Sequence, residues 1–109
     1  MDLREYQEKS KRTLNNDLKA GSQILNMLLG MSGETGEVVD LFKKHLFQGH
    51  TLDMDKLTEE LGDVMYYIAN LCNFYNLELE DVIEGNYNKL LKRYPEGFSE
   101  DRSINREGY

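Results

Sequence analysis

The sequence predicts an all-α fold, a four-helix bundle in a single domain that spans residues 1–109. Three observations predict this fold. Apolar residues recur with a period of about 3.6 in four segments, which is typical of helices with one buried face. The sustained alternation of apolar and polar residues that marks a half-buried strand is absent from the sequence. The chain also has a single proline in 109 residues, so long helices meet little interruption.

The first half of the chain predicts two helices. The first covers about residues 3–19, where a few apolar side chains recur at helical spacing among many charges. Gly21 and Ser22 separate it from the second helix, which covers about residues 22–47. The apolar positions that set the period of this second helix are Ile24, Met27, Leu28, Met31, Val38, Leu41, Phe42 and Leu46. The polar segment QGHTLD (48–53) then predicts a turn.

The second half predicts two more helices. The third covers about residues 54–75, and Asp53 is its expected N-cap because a short side-chain oxygen can accept the first free N–H groups. The fourth covers about residues 79–94 and ends at the segment that contains Pro95 and Gly97. Residues 96–109 form a polar C-terminal tail, which we expect to become ordered on a ligand or a partner chain.

Composition excludes several classes of protein. The formal charge of −7 and a pI near 4.8 argue against binding to nucleic-acid polymers, which requires a basic face. The first residues lack the apolar core of a signal peptide, and no stretch is long and apolar enough to span a bilayer, so no membrane partner is expected. Cys72 stands alone among apolar residues and is expected to be a small buried side chain. These features predict a cytoplasmic protein.

Four acidic residues interrupt the apolar stripes of the second and third helices. Glu34 lies three residues after Met31 on the core stripe, and Glu37 follows one turn later. Glu60 and Asp63 repeat this arrangement on the third helix. Glu37 and Asp63 lie equally far from the middle of the turn, about 20 Å along each helix. Two antiparallel helices would therefore bring all four carboxylates to nearly one level.

Such a cluster of carboxylates predicts a metal site. Four carboxylates held together repel one another unless a cation joins them. Oxygen ligands in a site open to water favour Mg²⁺, with Mn²⁺ as the alternative. Each ExxE or ExxD pair alone is equally typical of a solvated helix face. The two pairs together favour the metal, because both interrupt apolar stripes at matching levels.

Glycines accompany these acids. Gly33, Gly36 and Gly62 stand beside them, although glycine costs a helix interior about 1 kcal/mol relative to alanine. One explanation is that a missing Cβ lets a helix or a ligand approach the backbone closely. The other is that the second helix breaks between Gly30 and Gly33. The sequence leaves both explanations open.

Basic residues offer contacts for an anionic ligand. Asn86, Lys89 and Arg93 share one face of the fourth helix, and their donors suit a row of phosphate oxygens. Lys44, between the acids and the turn, is a further candidate for substrate binding. The alternative is a solvated helix whose last cations complement the helix dipole, and a surface position for Lys44.

The combined pattern resembles the MazG-like nucleotide pyrophosphohydrolases of the all-α NTP pyrophosphatase superfamily. Their hallmark is EExxE followed, after a spacer, by ExxD. Here GETGE and EELGD match it, with 22 residues between Glu37 and Glu60. Gly33 replaces the first glutamate of EExxE, an acid outside the four metal ligands of the family pattern. The segment NYNKLLKRYPEGF (86–98) is similar to the closing helix of the family.

The resemblance implies hydrolysis of a nucleoside triphosphate, often a deoxynucleotide, between its α and β phosphates. The implied products are a nucleoside monophosphate and pyrophosphate. It also implies that relatives are homodimers or homotetramers whose sites a neighbouring chain completes. The implied ligands of Mg²⁺ are Glu34, Glu37, Glu60 and Asp63, and the implied phosphate contacts are Asn86, Lys89 and Arg93.

The residues suggest how such a reaction would proceed. Mg²⁺ neutralises the polyphosphate and lowers the pKa of a bound water molecule, and basic residues stabilise the departing pyrophosphate. Glu37 is the expected proton acceptor, and Glu60 joins it in the predicted catalytic pair.

Other functions fit the same residues. A related substrate, such as a phosphoribosyl-nucleotide or a modified nucleotide, is the nearest alternative. A non-catalytic helical module that binds a nucleotide or a metal and regulates a partner would bind without releasing pyrophosphate. A structural bundle with solvated acids would show no response to Mg²⁺ and nucleotide.

Overall fold

A computed structural model describes residues 1–106 of the chain and confirms the all-α class. No β-strand occurs in this part of the chain. The helices are α1 (Leu3–Lys9), a 3₁₀ helix (Ser10–Thr13), α2 (Ala20–Phe47), α3 (Met54–Phe74), α4 (Leu79–Arg93) and α5 (Glu100–Ile104). The predicted second, third and fourth helices agree with α2, α3 and α4 within two residues at each end.

The first predicted helix, about 3–19, is wrong in its length. α1 has only seven residues, and the chain continues through the 3₁₀ helix into irregular structure. Asn15 explains why the helix does not continue. Its side chain accepts a hydrogen bond from the backbone N–H of Asp17 at 3.1 Å, and its backbone carbonyl accepts one from Gln23 Nε2 at 2.6 Å. These bonds offer the backbone an alternative to the helical ladder.

The long helices α2 and α3 form an antiparallel hairpin, which positions the acids. Gly30 lies against Tyr67, whereas Glu34 lies near Glu60, so residue numbers fall along α2 as they rise along α3. Asp53 caps α3 as predicted, because its Oδ1 accepts the backbone N–H of Lys56 at 3.0 Å. The hairpin holds most of the packing between helices in the described residues.

The glycines of α2 do not break the helix, which runs without interruption from Ala20 to Phe47. The close-approach explanation applies instead to Gly30, which the sequence indicated only as a possible point of breakage. A Cβ built on Gly30 would overlap the ring of Tyr67. For the predicted glycines (Gly33, Gly36 and Gly62), no atom of the described residues lies within 4 Å of such a Cβ.

The connection from α3 to α4 is a Schellman motif. Asn76 takes the left-handed conformation with φ of 53°, and the N–H of Leu77 donates to the carbonyl of Cys72 at 3.0 Å. This turn directs α4 towards α1, against which α4 chiefly packs. The small core at the junction contains Ala69, Cys72 and Leu79, with Leu3, Tyr6 and Ile68 packed around it. Cys72 is buried, as predicted.

The described chain leaves much apolar surface exposed. One face of α2, opposite to the acids, carries exposed apolar residues, which we call the α2 stripe: Leu25, Leu28, Leu29, Val39 and Leu46. The radius of gyration is 17.2 Å, whereas a compact domain of this length has about 13 Å. One copy of the chain therefore buries a core that is small for its length.

The C-terminal segment that the sequence predicts as a polar tail contains α5. Ser99 caps this helix by accepting the N–H of Arg102 at 3.0 Å. Residues 107–109 of the predicted tail lie outside the described residues. Within residues 1–106, no helix combines the length and the apolar character that crossing a membrane requires.

Candidate metal centre

Three of the four predicted metal ligands converge between α2 and α3. Glu34, Glu60 and Asp63 each offer one carboxylate oxygen, and these three oxygens lie within 4.8 Å of one another. The antiparallel hairpin brings this about, because Glu34 lies opposite the helical turn that begins at Glu60 and ends at Asp63. Spacing by three residues places both α3 acids on the same side of that helix. We call these three residues the acid triad.

Glu37, the fourth predicted ligand, lies outside the acid triad and is exposed. It stands one helical turn nearer to the connection between the helices than Glu34 does. Its negative charge still reaches the site, since it contributes to the raised pKa of Glu34 and of Lys56. The sequence predicted all four carboxylates at nearly one level, whereas the three that converge within 4.8 Å do not include Glu37.

The protonation of the triad reflects its crowding. The pKa of Glu34 is raised from 4.5 to about 7, first because its protonated carboxyl donates a hydrogen bond to Glu60 and then because of partial burial. The negative charges of Glu60, Asp63 and Glu37 add to this rise. The pKa of Glu60 is lowered, because it accepts hydrogen bonds from Glu34 and Lys56. Without a metal, a proton and an ammonium group thus compensate the carboxylates.

The Glu60 side chain shows that a cation fits the triad. Its side chain is 5% exposed, and Oε1 pairs with Lys56 Nζ at 3.1 Å. When Glu34 is ionised, the buried Oε2 has no hydrogen-bond donor among the side chains and backbone of residues 1–106. A buried carboxylate oxygen without a partner carries a large desolvation cost. A divalent cation bound by the triad oxygens would remove this cost.

Lys56 is a residue of the site that the sequence reading missed. Its ammonium group lies 3.1 Å from Glu60, and the pKa of Lys56 is raised by that hydrogen bond and by the charges of Glu60, Glu59 and Glu37. The signal was present in the sequence, since residues four apart on a helix are neighbours. Lys56 precedes Glu60 by four residues.

Tyr67 borders the site on the side away from the hairpin connection. Its ring lies over Gly30 and meets the ring of Tyr66 edge to face, with centroids 5.2 Å apart. The pKa of Tyr67 is raised, first by burial and then by the negative charges of Glu34 and other acids. The phenol is therefore neutral and can donate a hydrogen bond beside the triad.

The predicted substrate-binding residues lie apart from the triad along the chain. Asn86, Lys89 and Arg93 are on α4, which packs chiefly against α1. Arg93 is buried, and Lys89 is half-buried. Lys44 lies on α2 beyond Glu37, where its ammonium group pairs with Asp40 Oδ2 at 3.0 Å. Within residues 1–106, the structure brings together the triad and Lys56.

Known proteins resemble this chain over a range that includes α2, α3 and α4. The sequence profile of the MazG nucleotide pyrophosphohydrolase domain matches residues 22–98, which include the triad and α4. The Gene 37 protein of Mycobacterium phage L5 is 37% identical over 82 residues, 72% of this chain and 72% of that protein. The uncharacterized protein YvdC of Bacillus subtilis (strain 168) is 46% identical over 39 residues, 36% of this chain and 37% of YvdC. No solved structure matches the chain significantly.

The profile match confirms the resemblance drawn from the two acidic motifs. It covers more than half of the sequence, and it contains every acid that the hairpin brings together. The chain belongs to the MazG nucleotide pyrophosphohydrolase family.

Proposed function

We propose that this protein hydrolyses nucleoside triphosphates between the α and β phosphates, releasing a nucleoside monophosphate and pyrophosphate. Deoxynucleotides or modified nucleotides are the proposed substrates. Membership of the family supports the reaction class. The observation that carries the proposal is the acid triad, in which a buried oxygen of Glu60 has no donor among the described residues when Glu34 is ionised.

Mg²⁺ is the proposed cofactor, with Mn²⁺ as a substitute. Glu34, Glu60 and Asp63 would hold the ion, and Glu37 would be the fourth ligand from one turn away. When bound, the ion supplies charge neutralisation for the polyphosphate and acidifies a water molecule. The hard carboxylate oxygens of the acid triad suit these ions better than they suit zinc.

The protein's own residues would perform the remaining tasks. Glu37 is exposed and keeps a carboxylate near the triad, so it is the proposed acceptor of the proton from the attacking water, with Glu60 as its catalytic partner. Lys56 would neutralise negative charge beside Glu60. The remaining proposed contacts to the phosphates are Asn86, Lys89, Arg93 and Lys44.

We further propose that the protein acts as a homodimer or homotetramer. The α2 stripe is exposed, and the radius of gyration exceeds that of a compact domain. Exposed apolar patches of this kind mark interaction surfaces. A second copy seated on such surfaces would also bring cationic side chains towards a triad at which Lys56 supplies the ammonium group of one copy.

The test is pyrophosphate release from a panel of standard and modified nucleoside triphosphates, with a phosphoribosyl-nucleotide included. Three proteins are compared, namely the wild type, Glu60→Gln and Glu59→Gln. Glu59 is the matched control, because it is an exposed acid next to Glu60 but outside the triad. We expect wild type and Glu59→Gln to release pyrophosphate with Mg²⁺, and Glu60→Gln to lose at least about a hundredfold in rate.

Two results would contradict the proposal. Full turnover in excess EDTA would remove the role of the metal. Saturable nucleotide binding without release of pyrophosphate would favour the non-catalytic regulatory module. If the protein cleaved only the phosphoribosyl-nucleotide, the proposed type of reaction would stand and the proposed substrate would be wrong.

A further inference from the structure

A buried polar network lies outside the proposed metal site, where α1, α3 and the start of α4 meet. Gln7 of α1 is its central residue and is 6% exposed. Its Nε2 donates to Asn73 Oδ1 at 2.9 Å and to the carbonyl of Leu77 at 2.8 Å. Its Oε1 accepts the backbone N–H of Leu79 at 2.8 Å. The amide group of this one side chain therefore connects α1 to the last turn of α3, to the connection between α3 and α4, and to the first residue of α4.

The bond to Leu79 replaces a missing helix cap. The first N–H groups of a helix have no partner within the helix. Glu78, the N-cap residue of α4, makes no side-chain capping bond, and Leu79 is 1% exposed. Gln7 satisfies this buried N–H from another helix. The first residue of α4 is thus fixed to α1 by a hydrogen bond that no neighbour in sequence provides.

The rest of α4 depends on the same helix for its direction. α4 packs chiefly against α1, and the Arg4 guanidinium pairs with Glu80 at 2.6 Å, one residue beyond the capped N–H. The Schellman turn at Asn76 leads out of α3 with φ of 53°. The Gln7 bonds to Leu77 and Leu79 hold the short segment between this turn and the start of α4 at both of its ends.

We propose that Gln7 is a positioning residue that fixes the direction of α4 relative to α3, and with it the placement of Asn86, Lys89 and Arg93. The inference rests on the proposed function, in which these three residues contact phosphates. It adds to that function a residue that binds neither metal nor nucleotide. Because misplacement of a binding group by about 1 Å can cost about a hundredfold in rate, a change at Gln7 would be felt at the reaction.

A purely structural role for Gln7 is the competing explanation, and Ser10 provides the matched control. Ser10 is 9% exposed and belongs to the same network, since its Oγ donates to the backbone carbonyl of Gln7 at 2.8 Å. Its backbone carbonyl accepts a hydrogen bond from Asn70 Nδ2 of α3 at 3.4 Å, so the hydrogen bonds described for Ser10 involve α1 and α3 and not α4. Ser10→Ala therefore removes a buried hydrogen bond of the network but leaves the cap of α4 in place.

The test measures the direction of α4 and the reaction separately. Spin labels are attached at Thr58→Cys on α3 and Glu84→Cys on α4, both exposed positions, in a Cys72→Ala background. Their distance distribution is measured by pulsed electron paramagnetic resonance, with labelled chains diluted by unlabelled ones. The kcat/KM for pyrophosphate release and the Mn²⁺ affinity are measured on the unlabelled variants, all verified as folded by circular dichroism.

For Gln7→Met, we expect a shifted or broadened distance and a loss of at least about tenfold in kcat/KM, with Mn²⁺ affinity unchanged. Ser10→Ala is expected to match the unmodified protein in all three quantities. Where Gln7→Met does not fold, Gln7→Asn takes its place, because it keeps an amide in the network but is one methylene too short to reach α4.

An unchanged distance in the Gln7 variant would overturn the inference, and so would an unchanged kcat/KM despite a shifted distance. Equal losses in Gln7→Met and Ser10→Ala would likewise overturn it in favour of a structural role. Failure of the proposed function would give a different result, namely no pyrophosphate release by the unmodified protein. The distance measurement does not depend on that activity.

Discussion

At the scale of single residues, the Glu34 carboxyl group shows how the acid triad relieves the repulsion between its carboxylates. Its pKa rises to about 7 because a shared proton is the simplest way for two neighbouring carboxyl groups to coexist. Lys56 compensates Glu60 from the other side at 3.1 Å. A divalent cation bound by the triad would replace both of these positive charges. Metal binding at this site is therefore coupled to the proton on Glu34 and to the ammonium group of Lys56.

The raised pKa of Glu34 predicts a fall in stability with pH for the metal-free protein. Between about pH 4.5 and 7, the folded protein keeps a proton on Glu34 that the unfolded chain releases. Folding therefore takes up a proton in this window, and the free energy of unfolding decreases as the pH rises. Urea unfolding in EDTA across this window measures the slope.

Glu34→Gln is the control for this pH dependence, because a neutral amide can still donate to Glu60 but does not titrate. We expect its slope to be less negative than that of the wild type. Equal slopes in the two proteins would show that the Glu34 proton is not held in the folded state.

Lys56→Ala tests whether the ammonium group stands in for a metal. Without it, the triad keeps its negative charge uncompensated, so we expect lower thermal stability in EDTA and Mg²⁺ affinity increased by up to about tenfold. Isothermal titration calorimetry measures the affinity. Lys43→Ala is the matched control, since Lys43 pairs with Asp40 at 3.7 Å outside the triad. Weaker Mg²⁺ binding by Lys56→Ala than by Lys43→Ala would contradict this role.

Gly30 and Gly33 predict opposite effects of the same substitution. Gly30→Ala places a methyl group against the ring of Tyr67, and overpacking of this kind costs about 1–3 kcal/mol in free energy of unfolding. Gly33→Ala meets no described atom within 4 Å and should stabilise α2 by up to about 1 kcal/mol. Chemical denaturation distinguishes them, and a stabilised Gly30→Ala protein would refute the close contact.

At the scale of secondary-structure elements, the sequence predicts best where period and caps agree. α2, α3 and α4 follow their apolar periods, and Asp53 caps α3 as expected. The first helix was overextended because side-chain bonds of Asn15 and its neighbours compete with the helical ladder. Spacing of apolar residues carries no information on that competition. The cap of α4 could not be predicted either, because its acceptor comes from Gln7, 72 residues away.

Asn76 tests the turn between α3 and α4. Its φ of 53° is a left-handed conformation, which costs most residues about 1–2 kcal/mol. We therefore expect Asn76→Ala to lower the free energy of unfolding by about 1 kcal/mol and Asn76→Gly to keep or raise it. Urea denaturation compares the two variants. If alanine were tolerated as well as glycine, the left-handed turn would be in doubt.

At the scale of the whole molecule, the sequence predicted the antiparallel hairpin and the meeting of acids across it. The sequence did not predict the exact register between α2 and α3, because counting residues from the middle of the turn ignores how the two helices pack. Gly30 against Tyr67 helps set that register, in which Glu34 meets Glu60 and Asp63 while Glu37 lies outside the triad. The sequence did not predict the position of α4 either, because the period of apolar residues does not indicate which helix they pack against.

The α2 stripe predicts self-association. We expect sedimentation equilibrium to give a mass of two or four chains instead of the 12.7 kDa of one chain. Leu29→Glu, which places a charge within the stripe, should reduce that mass. Asn26→Glu, an exposed position on the same helix outside the stripe, should not. A wild-type protein that remains a single chain at all concentrations would contradict the proposed assembly.

The most direct test of the proposed metal centre is Mn²⁺ binding, measured by the loss of the electron paramagnetic resonance signal of free Mn²⁺. The comparison uses wild type, Glu60→Gln and Glu59→Gln. If the triad holds the cation, wild type and Glu59→Gln bind Mn²⁺ equally, and Glu60→Gln binds at least about tenfold more weakly. Equal binding by all three proteins would contradict a metal centre built on Glu60.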